Sequence, residues 1–379
     1  MRVITEGKAR IQFSVPEKIS KSMGVFYNPA MKENRDLTVL LLNSAGQPKM
    51  QIADPLAGTG IRSIRLLLEL GKSKIRNISI NDNSKAAVAA IRRNLRLNRI
   101  KSSSGKRGKI KVTAKDANIF LLESTGFDYI DIDPFGSPAR FLDAAAQRIS
   151  RGGIIAVTAT DTAALAGSSP SACMRKYWSR PLRNDFMHET GLRILIRRVQ
   201  LAGMQYEKAL VPIFSYKGQH YMRAFFRCEK GRIKAAQIYK SHGFIIYCPK
   251  CLQSEAVREL ISKTCNSCGS KTDNAGPLWL GRLSDKQVVA AMLRKSPEEH
   301  RQHEQLLSAI REESAVSRQW FYSINSVCRK YGIRSPPPMN ELLESLRNSG
   351  FIAARTHFDW AAVRTDAPVV QIVRVIKQG

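Results

Sequence analysis

The amino-acid sequence predicts an α/β fold, a doubly wound and mostly parallel sheet, with a second, smaller α+β C-terminal domain. Short β-rich runs alternate with amphipathic helical patterns through the first part of the chain, as expected of such a sheet. Beyond residue 240 this alternation stops, and a cysteine-bearing segment is followed by helical stretches. At 379 residues the chain is also too long for one small domain. We therefore expect two domains, 1–235 and 236–379.

The predicted strands are short and apolar, and several end in an acidic residue. They fall at 37–42, 50–54, 76–82, 110–116, 128–133 and 153–158. Most are apolar without alternation, which is typical of strands buried on both faces of a sheet. Ligands of open α/β sheets bind beyond the carboxyl ends of the strands, so these acidic residues are candidates for a binding site.

Predicted helices lie between these strands, with apolar residues three and four positions apart. They fall at 60–70, 84–98 and 137–150, and in the second domain around 284–294, 299–313 and 317–331. Prolines within 335–338 interrupt the chain before a last predicted helix, NELLESLRNSG, and a strand-like end. Helices followed by a short strand pair favour a winged-helix-like module.

The chain is strongly basic. Its 61 Lys and Arg outnumber 31 Asp and Glu, which gives a formal net charge of +30. A polyanion would offset the self-repulsion of these charges, so nucleic acid is the expected partner. The sequence has neither an apolar run near the length of a membrane-spanning helix nor a secretory signal. We therefore expect a cytoplasmic protein without membrane binding, and we infer no obligate protein partner.

A glycine-containing turn follows the predicted strand at 50–54. The segment Asp54-Pro55-Leu56-Ala57-Gly58-Thr59-Gly60 puts small residues where a tight strand-to-helix turn lets a ligand approach the backbone. Asp82 ends the next strand, where a carboxylate can accept hydrogen bonds from ribose hydroxyls. Asp116 ends a third strand, where it and Ala117 can contact an adenine edge. This pattern predicts a cofactor that contains a nucleoside.

Nicotinamide-dinucleotide enzymes share the glycine turn and the ribose acid. Their usual fingerprint has a third glycine, however, and this chain has Ser63 at that position. The turn also begins with an acid, and acid-x-x-x-Gly-x-Gly resembles the first motif of the Rossmann-like methyltransferases. We therefore expect S-adenosylmethionine as cofactor. The candidate cofactor-binding residues are Asp54, Gly58, Gly60, Arg62, Asp82, Asn83, Asp116, Ala117 and Asp133.

The most informative segment is Asp131-Ile132-Asp133-Pro134-Phe135-Gly136-Ser137-Pro138, which follows the predicted strand at 128–133. An isolated Asp-Pro-Phe is often only a proline turn in which the aspartate caps the next helix. Here it stands fourth in a series of acidic strand ends. In that place it closely resembles the Asp/Asn-Pro-Pro-Tyr/Phe motif of methyltransferases that act on amino groups of bases.

The chemistry of such amines explains these residue types, because conjugation to the base ring makes the nitrogen a poor nucleophile. The Asp133 carboxylate and the Pro134 carbonyl can each accept an N–H, which orients the nitrogen and favours its developing positive charge. Asp133 can also take the proton. The ring of Phe135 is suited to stack on the base. A base inside a duplex or tRNA core must first be flipped out.

Longer segments carry a resemblance over most of the chain. They are VFYNPAMKENRDL at 25–37, DPLAGTGIRSIR at 54–65, DIDPFGSPARFLDAA at 131–145, GIIAVTATDTAALAG at 153–167, RKYWSRPLRNDFMHETGLRIL at 175–195, HYMRAFFR at 220–227 and ARTHF at 354–358. Together they resemble the tRNA (guanine-N2)-dimethyltransferases that modify the guanosine at tRNA position 26, in their archaeal form. The resemblance implies transfer of one or two methyl groups from S-adenosylmethionine to guanine N2.

The same resemblance implies roles for further residues. Arg35 would bind the cofactor carboxylate, and Asp133 would be catalytic. Phe26 and Phe135 would grip the guanine from two sides, and Thr160 or Asp161 would border the pocket. From the residues alone, Phe26 is equally consistent with a core position and Arg35 with a surface charge. The expected contacts to tRNA phosphates are basic residues that follow the Asp161 loop: Arg175, Lys176, Arg180 and Arg183.

Four of the seven cysteines form two C-x2-C pairs, Cys248 with Cys251 and Cys265 with Cys268. This spacing predicts a tetrahedral four-thiolate Zn²⁺ site with a structural role, because such a site has no open position for catalysis. A pair of redox disulfides is the alternative, and zinc is favoured for an intracellular chain.

Two other functions remain open from the sequence. One is an amino methyltransferase acting on adenine of rRNA or DNA, because the same chemistry suits any exocyclic amine. The other is a catalytically inactive, zinc-containing RNA-binding protein, against which the intact Asp82, Asp116 and Asp133 count. The sequence does not decide between one and two methyl groups, or whether a neighbouring guanosine is modified.

Overall fold

A computed structural model describes residues 2–13, 27–71, 73–101, 109–260, 264–296 and 298–378. Phe26 lies outside these described residues, so its predicted contact with the guanine stays a prediction. The first part of the chain contains β1 (Arg2–Glu6), β2 (Ala9–Phe13), α1 (Lys32–Ala45), β3 (Met50–Asp54), α2 (Ile61–Glu69), β4 (Ile75–Asn81), α3 (Lys85–Leu97), β5 (Ile110–Thr113), α4 (Ala117–Leu122), β6 (Phe127–Ile132), α5 (Leu142–Arg148), β7 (Ile149–Ala159), α6 (Thr162–Leu165), α7 (Pro170–Tyr177), α8 (Met187–Met204), β8 (Lys208–Lys217) and β9 (Met222–Lys230).

The second part contains shorter elements. They are α9 (Arg232–Lys240), β10 (His242–Tyr247), β11 (Ser254–Val257), β12 (Asp273–Trp279), α10 (Lys286–Arg294), α11 (Glu304–Glu313), β13 (Tyr322–Ser323), α12 (Ile324–Tyr331), α13 (Met339–Asn348), β14 (Ala353–Arg355), β15 (Ala362–Thr365) and α14 (Val369–Gln378). No helix in the described part of the chain is long and apolar enough to span a membrane.

A seven-stranded sheet with the order β5-β4-β3-β6-β7-β9-β8 forms the centre of the molecule. The five strands from β5 to β7 in this order are parallel, and β9 runs antiparallel to both of its neighbours. The chain moves outward from β3 to β5 and then returns to β6 on the other side of β3. The expected doubly wound fold is confirmed. Its topological switch point lies between β3 and β6, where ligands of such sheets bind.

Apolar cores cover both faces of the sheet. One is built with α4, α5 and α8, and the other with α1, α2 and α3. Residues of the second part of the chain complete both cores: Trp279 and Trp320 join the first, and Val289 and Met292 of α10 join the second. The two parts of the chain therefore pack closely, and the division at 235/236 stays a prediction.

One predicted strand is wrong. Residues 37–42 lie inside helix α1, and all of them are buried. A helix covered on nearly all sides gives a continuous apolar run, and hydrophobic periodicity does not separate such a run from a buried strand. The stretch 317–331 was likewise expected to be helical throughout, but it contains β13 and becomes helical only from Ile324.

The other predicted strands are confirmed, although some of their ends differ. Asp82 lies just after β4, which ends at Asn81. Asp116 lies beyond β5 and caps α4, because its carboxylate accepts hydrogen bonds from the backbone N–H groups of Asn118 and Ile119. The strand therefore ends earlier than predicted, and Asp116 belongs to the start of the next helix.

The second part of the chain contains two small sheets. Strands β11, β10 and β12 form an antiparallel sheet beside the cysteine pairs. Strands β13, β15 and β14 form another, and its own apolar core is shared with α12, α13 and α14. Helices α12 and α13, followed by the strand pair β14 and β15, agree with the expected winged-helix-like arrangement. The expected strand-like end is wrong in part, because helix α14 follows this strand pair.

Buried ion pairs connect this last module to α8. Glu189 of α8 accepts hydrogen bonds from Arg193 and Arg364, and Arg364 also contacts Glu313. Burial alone would raise the pKa of Glu189, but the two guanidinium groups hold it at about 2. Charge pairing as well as apolar packing therefore attaches this module to α8, which packs on the central sheet.

Candidate active site

The glycine turn joins β3 to α2 at the switch point of the sheet. Gly60 has a φ of +78°, and a Cβ atom there would lie 3.2 Å from Ile91 Cγ1. Both the left-handed conformation and the close packing therefore favour glycine. The Gly58 N–H donates to the Asp82 carboxylate over 2.9 Å. The structure thus brings the predicted ribose-binding acid directly against the turn.

Asn81, which the sequence analysis missed, organises this edge. Its buried side-chain amide donates to the carbonyls of Pro55 and Lys115, over 3.1 and 2.9 Å. Its carbonyl oxygen accepts from the Lys115 N–H and the Thr113 hydroxyl. One side chain therefore links the ends of β3, β4 and β5. A buried asparagine at the end of an apolar strand was the available signal.

The residues predicted to contact adenine follow β5 on the same edge. Ala117 is buried at the start of α4, while Asp116 and Asn83 are exposed. Because β3, β4 and β5 are neighbouring parallel strands, their carboxyl ends open on one side of the sheet. The glycine turn, Asp82 and Asp116 therefore border a common surface.

Asp133 directly follows β6, the neighbour of β3 on the other side of the switch point. Its side chain is 20% exposed and forms an ion pair with Arg62 of α2. Pro134 is buried, whereas Phe135 is 41% exposed. The next residue, Gly136, donates its N–H to the Thr160 hydroxyl and accepts from the Thr160 N–H. The loop after β6 is thereby fixed to the end of β7.

A buried charge network lies beneath Asp133. The fully buried Arg223 donates from both Nη atoms to Asp131, over 2.8 and 2.7 Å. Arg62 Nη1 lies 3.4 Å from Asp131 Oδ2, so Arg62 bridges Asp131 and Asp133. Burial alone would raise the pKa of Asp131, but Arg223 and Arg62 hold it below its usual value. The sequence analysis assigned no role to Arg223, although it lies in the segment HYMRAFFR.

Asp54 is buried at the end of β3 and accepts a hydrogen bond from the Ser63 hydroxyl over 2.7 Å. Burial raises its pKa to about 7, and the nearby Asp131 and Asp133 carboxylates act in the same direction against Arg62. Three carboxyl groups and two guanidinium groups thus share this switch point. The protonation of Asp54 is therefore coupled to the charge around Asp133.

Arg35, predicted to bind the cofactor carboxylate, lies in α1 and is buried. It pairs with Glu6 of β1, with Nε–Oε1 and Nη2–Oε2 distances of 2.6 and 2.5 Å. Burial alone would raise the pKa of Glu6, but Arg35 and Arg65 hold it below its usual value. The hydroxyl of Tyr27, the residue after Phe26, also donates to Glu6. The N-terminal hairpin thus fixes the orientation of Arg35.

The predicted tRNA-binding residues are all exposed, on α7 and just after it: Arg175, Lys176, Arg180 and Arg183. Lys176 Nζ lies 3.0 Å from Asp161 Oδ2, and the buried Tyr177 donates to the other carboxylate oxygen of Asp161. Asp161 follows Thr160, which holds the loop after β6. The basic segment is therefore tied to the rim of the Asp133 site.

The four predicted zinc ligands come together. Their sulfur atoms all lie within 4.8 Å of one another, with Sγ–Sγ distances of 3.5 Å for Cys248–Cys268 and 3.6 Å for Cys251–Cys265. Zn–S bonds of about 2.3 Å in a tetrahedron place the sulfur atoms about 3.8 Å apart, whereas a disulfide places them about 2 Å apart. The cluster therefore suits one zinc ion bound by four thiolates.

Comparisons with known proteins agree with this geometry. The family model described as N2,N2-dimethylguanosine tRNA methyltransferase matches residues 5–377. The tRNA (guanine(26)-N(2)/guanine(27)-N(2))-dimethyltransferase of Aquifex aeolicus is 37% identical over 100% of this chain and 96% of its own. The tRNA (guanine(26)-N(2))-dimethyltransferase of Methanothermobacter thermautotrophicus is 36% identical over 99% of this chain and 98% of its own.

A solved structure supports the same relationship. The structure of Trm1 from Pyrococcus horikoshii with S-adenosyl-L-methionine superposes with a TM-score of 0.88 and 33% identity, covering 99% of this chain and 100% of that one. The similarity therefore includes the seven-stranded sheet, the switch point and the C-terminal modules. The chain belongs to the N2,N2-dimethylguanosine tRNA methyltransferase family.

Proposed function

We propose that this enzyme, an S-adenosylmethionine-dependent tRNA (guanine-N2)-methyltransferase, transfers one or two methyl groups to N2 of the guanosine at tRNA position 26. The observation that carries the proposal is the position of Asp133-Pro134-Phe135. The segment follows β6 at the switch point, across from the glycine turn that follows β3. The names of the full-length relatives support the same substrate.

The residues at the glycine turn fit an adenosine cofactor. Gly58 and Gly60 have no side chain to block approach to the backbone, and both have positive φ angles. Asp82 accepts N–H groups from Gly58 and Ser84, one on each oxygen, and a carboxylate has about four acceptor positions. Asp82 therefore keeps capacity for ribose hydroxyls, and Asp116 with Ala117 would border the adenine.

We also propose that Arg35 binds the carboxylate of the cofactor. Glu6 accepts hydrogen bonds from Nε and Nη2 of its guanidinium, and the Asn28 carbonyl also accepts from Nη2. Among the described residues none accepts from Nη1, so Nη1 can donate to a ligand. Because Glu6 fixes the plane of the guanidinium, little side-chain freedom is lost on binding. When bound, S-adenosylmethionine supplies an electrophilic methyl group on its sulfonium.

Asp133 and Pro134 would orient the amine. Arg62 engages Asp133 Oδ2, so Oδ1 is available to accept one N–H of the guanine amino group. The Pro134 carbonyl would accept the other N–H, which points the nitrogen lone pair toward the methyl donor. A carboxylate in this position also favours the positive charge that develops on the nitrogen. Asp133 can then receive the proton.

The target base would be flipped out of the tRNA to reach this site. The exposed ring of Phe135 offers a stacking surface beside Asp133, and Gly136 and Thr160 hold its loop in place. The exposed basic residues of α7 and the net charge of +30 suit contacts to the phosphates around that base. Residues 236–379, with one structural zinc ion, would complete the tRNA-binding surface.

The test is methyl transfer to an unmodified tRNA transcript with labelled cofactor, followed by nucleoside mapping. We expect N2-methylated guanosine at position 26, and no product at that site when the transcript carries adenosine there. Asp133→Asn and Asp133→Ala should bind tRNA normally but lose most of kcat, because each removes the carboxylate charge. Asp128→Asn, at the opposite end of β6 from Asp133, is the matched control and should keep full activity, because an asparagine oxygen can still accept the Gln51 N–H.

Two results would contradict the proposal. Methylated adenosine as the sole product would favour the alternative substrate that the sequence left open. Full activity of Asp133→Ala would show that the chemistry takes place without this carboxylate.

A further inference from the structure

Trp178 ends α7 in a backbone conformation that usually selects glycine. It has a φ of +55° and a ψ of +42°, and it is 55% exposed. Glycine is the common residue at this position of a helix end, since a side chain in the left-handed region is strained. A large apolar ring that is both strained and exposed gives little to the stability of the fold, and such strain often marks a functional position.

Hydrogen bonds hold the backbone of Trp178, and a guanidinium packs against its ring. The backbone N–H of Trp178 donates to the Met174 carbonyl, and the backbone carbonyl of Trp178 accepts from Arg197 Nη1 over 3.3 Å. The guanidinium carbon of Arg198 lies 4.2 Å from the ring centroid, and Arg198 itself is only 6% exposed. A buried cation therefore supports the ring from the protein side, while more than half of the residue faces solvent.

The environment of the ring is cationic. Arg175, Lys176, Arg180 and Arg183 are exposed on both sides of Trp178 in the chain. The preceding residue, Tyr177, is buried and donates to Asp161, next to the residue that holds the Phe135 loop. Trp178 is therefore linked to the loop of the proposed guanine site through Tyr177 and Asp161.

We propose that Trp178 is a stacking platform for an unpaired tRNA base other than the target guanine, while the neighbouring cations contact its phosphates. An exposed aromatic ring among cations is the combination by which proteins bind single-stranded nucleic acid. A basic surface that contacts only solvent or phosphates would not require an exposed aromatic ring. A stack on Trp178 would hold a nucleotide near the flipped guanosine and steady the opened RNA. This inference rests on tRNA being the substrate.

The experiment compares the tRNA affinity of two Trp178 variants and a control variant with that of the wild-type enzyme at fixed salt, and a double arginine variant serves for the salt dependence. Trp178→Gly removes the ring and places the favoured residue at the left-handed position, so the thermal midpoint should stay within a few degrees of wild type. We expect its Kd for tRNA to rise roughly 5- to 150-fold, the range for loss of one base stack. Trp178→Phe keeps a ring and should stay close to wild type. S-adenosylmethionine affinity should be unchanged in both variants.

Glu207→Gly is the matched control, because Glu207 is also exposed and has a φ of +55° but carries no ring. It should bind tRNA like the wild type. The salt dependence gives a second readout. Trp178→Gly should keep the wild-type slope of log Kd against log salt concentration, whereas Arg175→Ala/Arg180→Ala should flatten it because phosphate contacts are lost.

Wild-type affinity of Trp178→Gly for tRNA would overturn the inference. Failure of Trp178→Phe to retain affinity would overturn it as well, since a stacking role needs only an aromatic ring. Neither result touches the proposed function, which stands or falls with the methylation product of the wild-type enzyme.

Discussion

Arg62→Lys separates two roles for Arg62, positioning Asp133 and binding the cofactor. The sequence analysis placed Arg62 among the cofactor-binding residues. In the structure its guanidinium lies 3.4 Å from Asp131 and 3.2 Å from the Thr38 hydroxyl, and its second Nη pairs with Asp133. A lysine keeps the positive charge but offers a single ammonium group, which does not span both carboxylates with the fixed geometry of the fork.

The expected loss follows from the contact that lysine fails to make. A hydrogen bond to a charged group contributes about 1.5–3 kcal/mol, which corresponds to a fall in kcat of roughly 10- to 150-fold if Asp133 is no longer held in its reactive orientation. Because the charge is retained and Arg223 still pairs with Asp131, we expect the fold to persist. The affinities for tRNA and S-adenosylmethionine should change little.

The assay measures single-turnover methyl transfer at saturating tRNA and cofactor, with the cofactor Kd determined separately by equilibrium binding. Arg92→Lys, on the exposed face of α3, is the matched control. The opposite result would be a roughly 10- to 150-fold loss of cofactor affinity with a wild-type rate at saturation. This result would show that Arg62 binds the cofactor and would refute its role in positioning Asp133.

Three further perturbations follow from the same site and its zinc module. Burial raises the pKa of Asp54 to about 7, above the value of about 4 for an aspartate in the unfolded chain. The folded protein therefore binds this proton more tightly than the unfolded chain does. The stability gained in this way is fully present below pH 4 and is lost as pH rises to 7. Asp54→Asn should therefore gain stability relative to wild type, on the order of 4 kcal/mol between pH 4 and pH 8, measured by urea unfolding. Gly60→Ala should lower cofactor affinity and destabilise the fold by about 1–2 kcal/mol, because its Cβ would lie 3.2 Å from Ile91 at a positive φ, as thermal melts and binding titrations would show. Metal analysis should find about one zinc per chain, and Cys265→Ser should lose it together with thermal stability.

Each of these has a result that contradicts it. A constant stability difference between Asp54→Asn and wild type across pH 4–8 would show that folding does not raise the pKa of Asp54. If Gly60→Ala kept the wild-type affinity for the cofactor, the cofactor would bind away from the turn. Gly71→Ala, at an exposed position, is the control and should bind the cofactor normally. Metal-free native protein, or Cys265→Ser with unchanged zinc content, would show that the cysteine cluster is not the metal site. Cys328→Ser, outside the cluster, serves as its control.

Several features were predictable because they depend on residues close together in the chain. The alternation of strand and helix specified the doubly wound sheet. Asp133-Pro134-Phe135 and the glycine turn were recognisable because their residues are contiguous. The two C-x2-C pairs identified the cysteine cluster, since each knuckle is itself a local structure.

Errors arose where local pattern and tertiary environment differ. The run at 37–42 has the composition of a buried strand, yet it lies in α1 because the rest of the molecule covers that helix. Phe135 was recognisable from its motif, but only the structure shows that its ring is partly exposed beside the Asp133 site.

By itself, the sequence determined the fold class, the order of the acidic strand ends and the type of reaction to expect, because these follow from periodicity and short motifs. Tertiary structure alone decided which charges meet: Glu6 with Arg35, Arg62 with Asp133, and Asp131 with Arg223. The partners in each pair come from different elements. Buried charges need partners to offset the loss of water, but packing of the whole chain selects which partner is within reach.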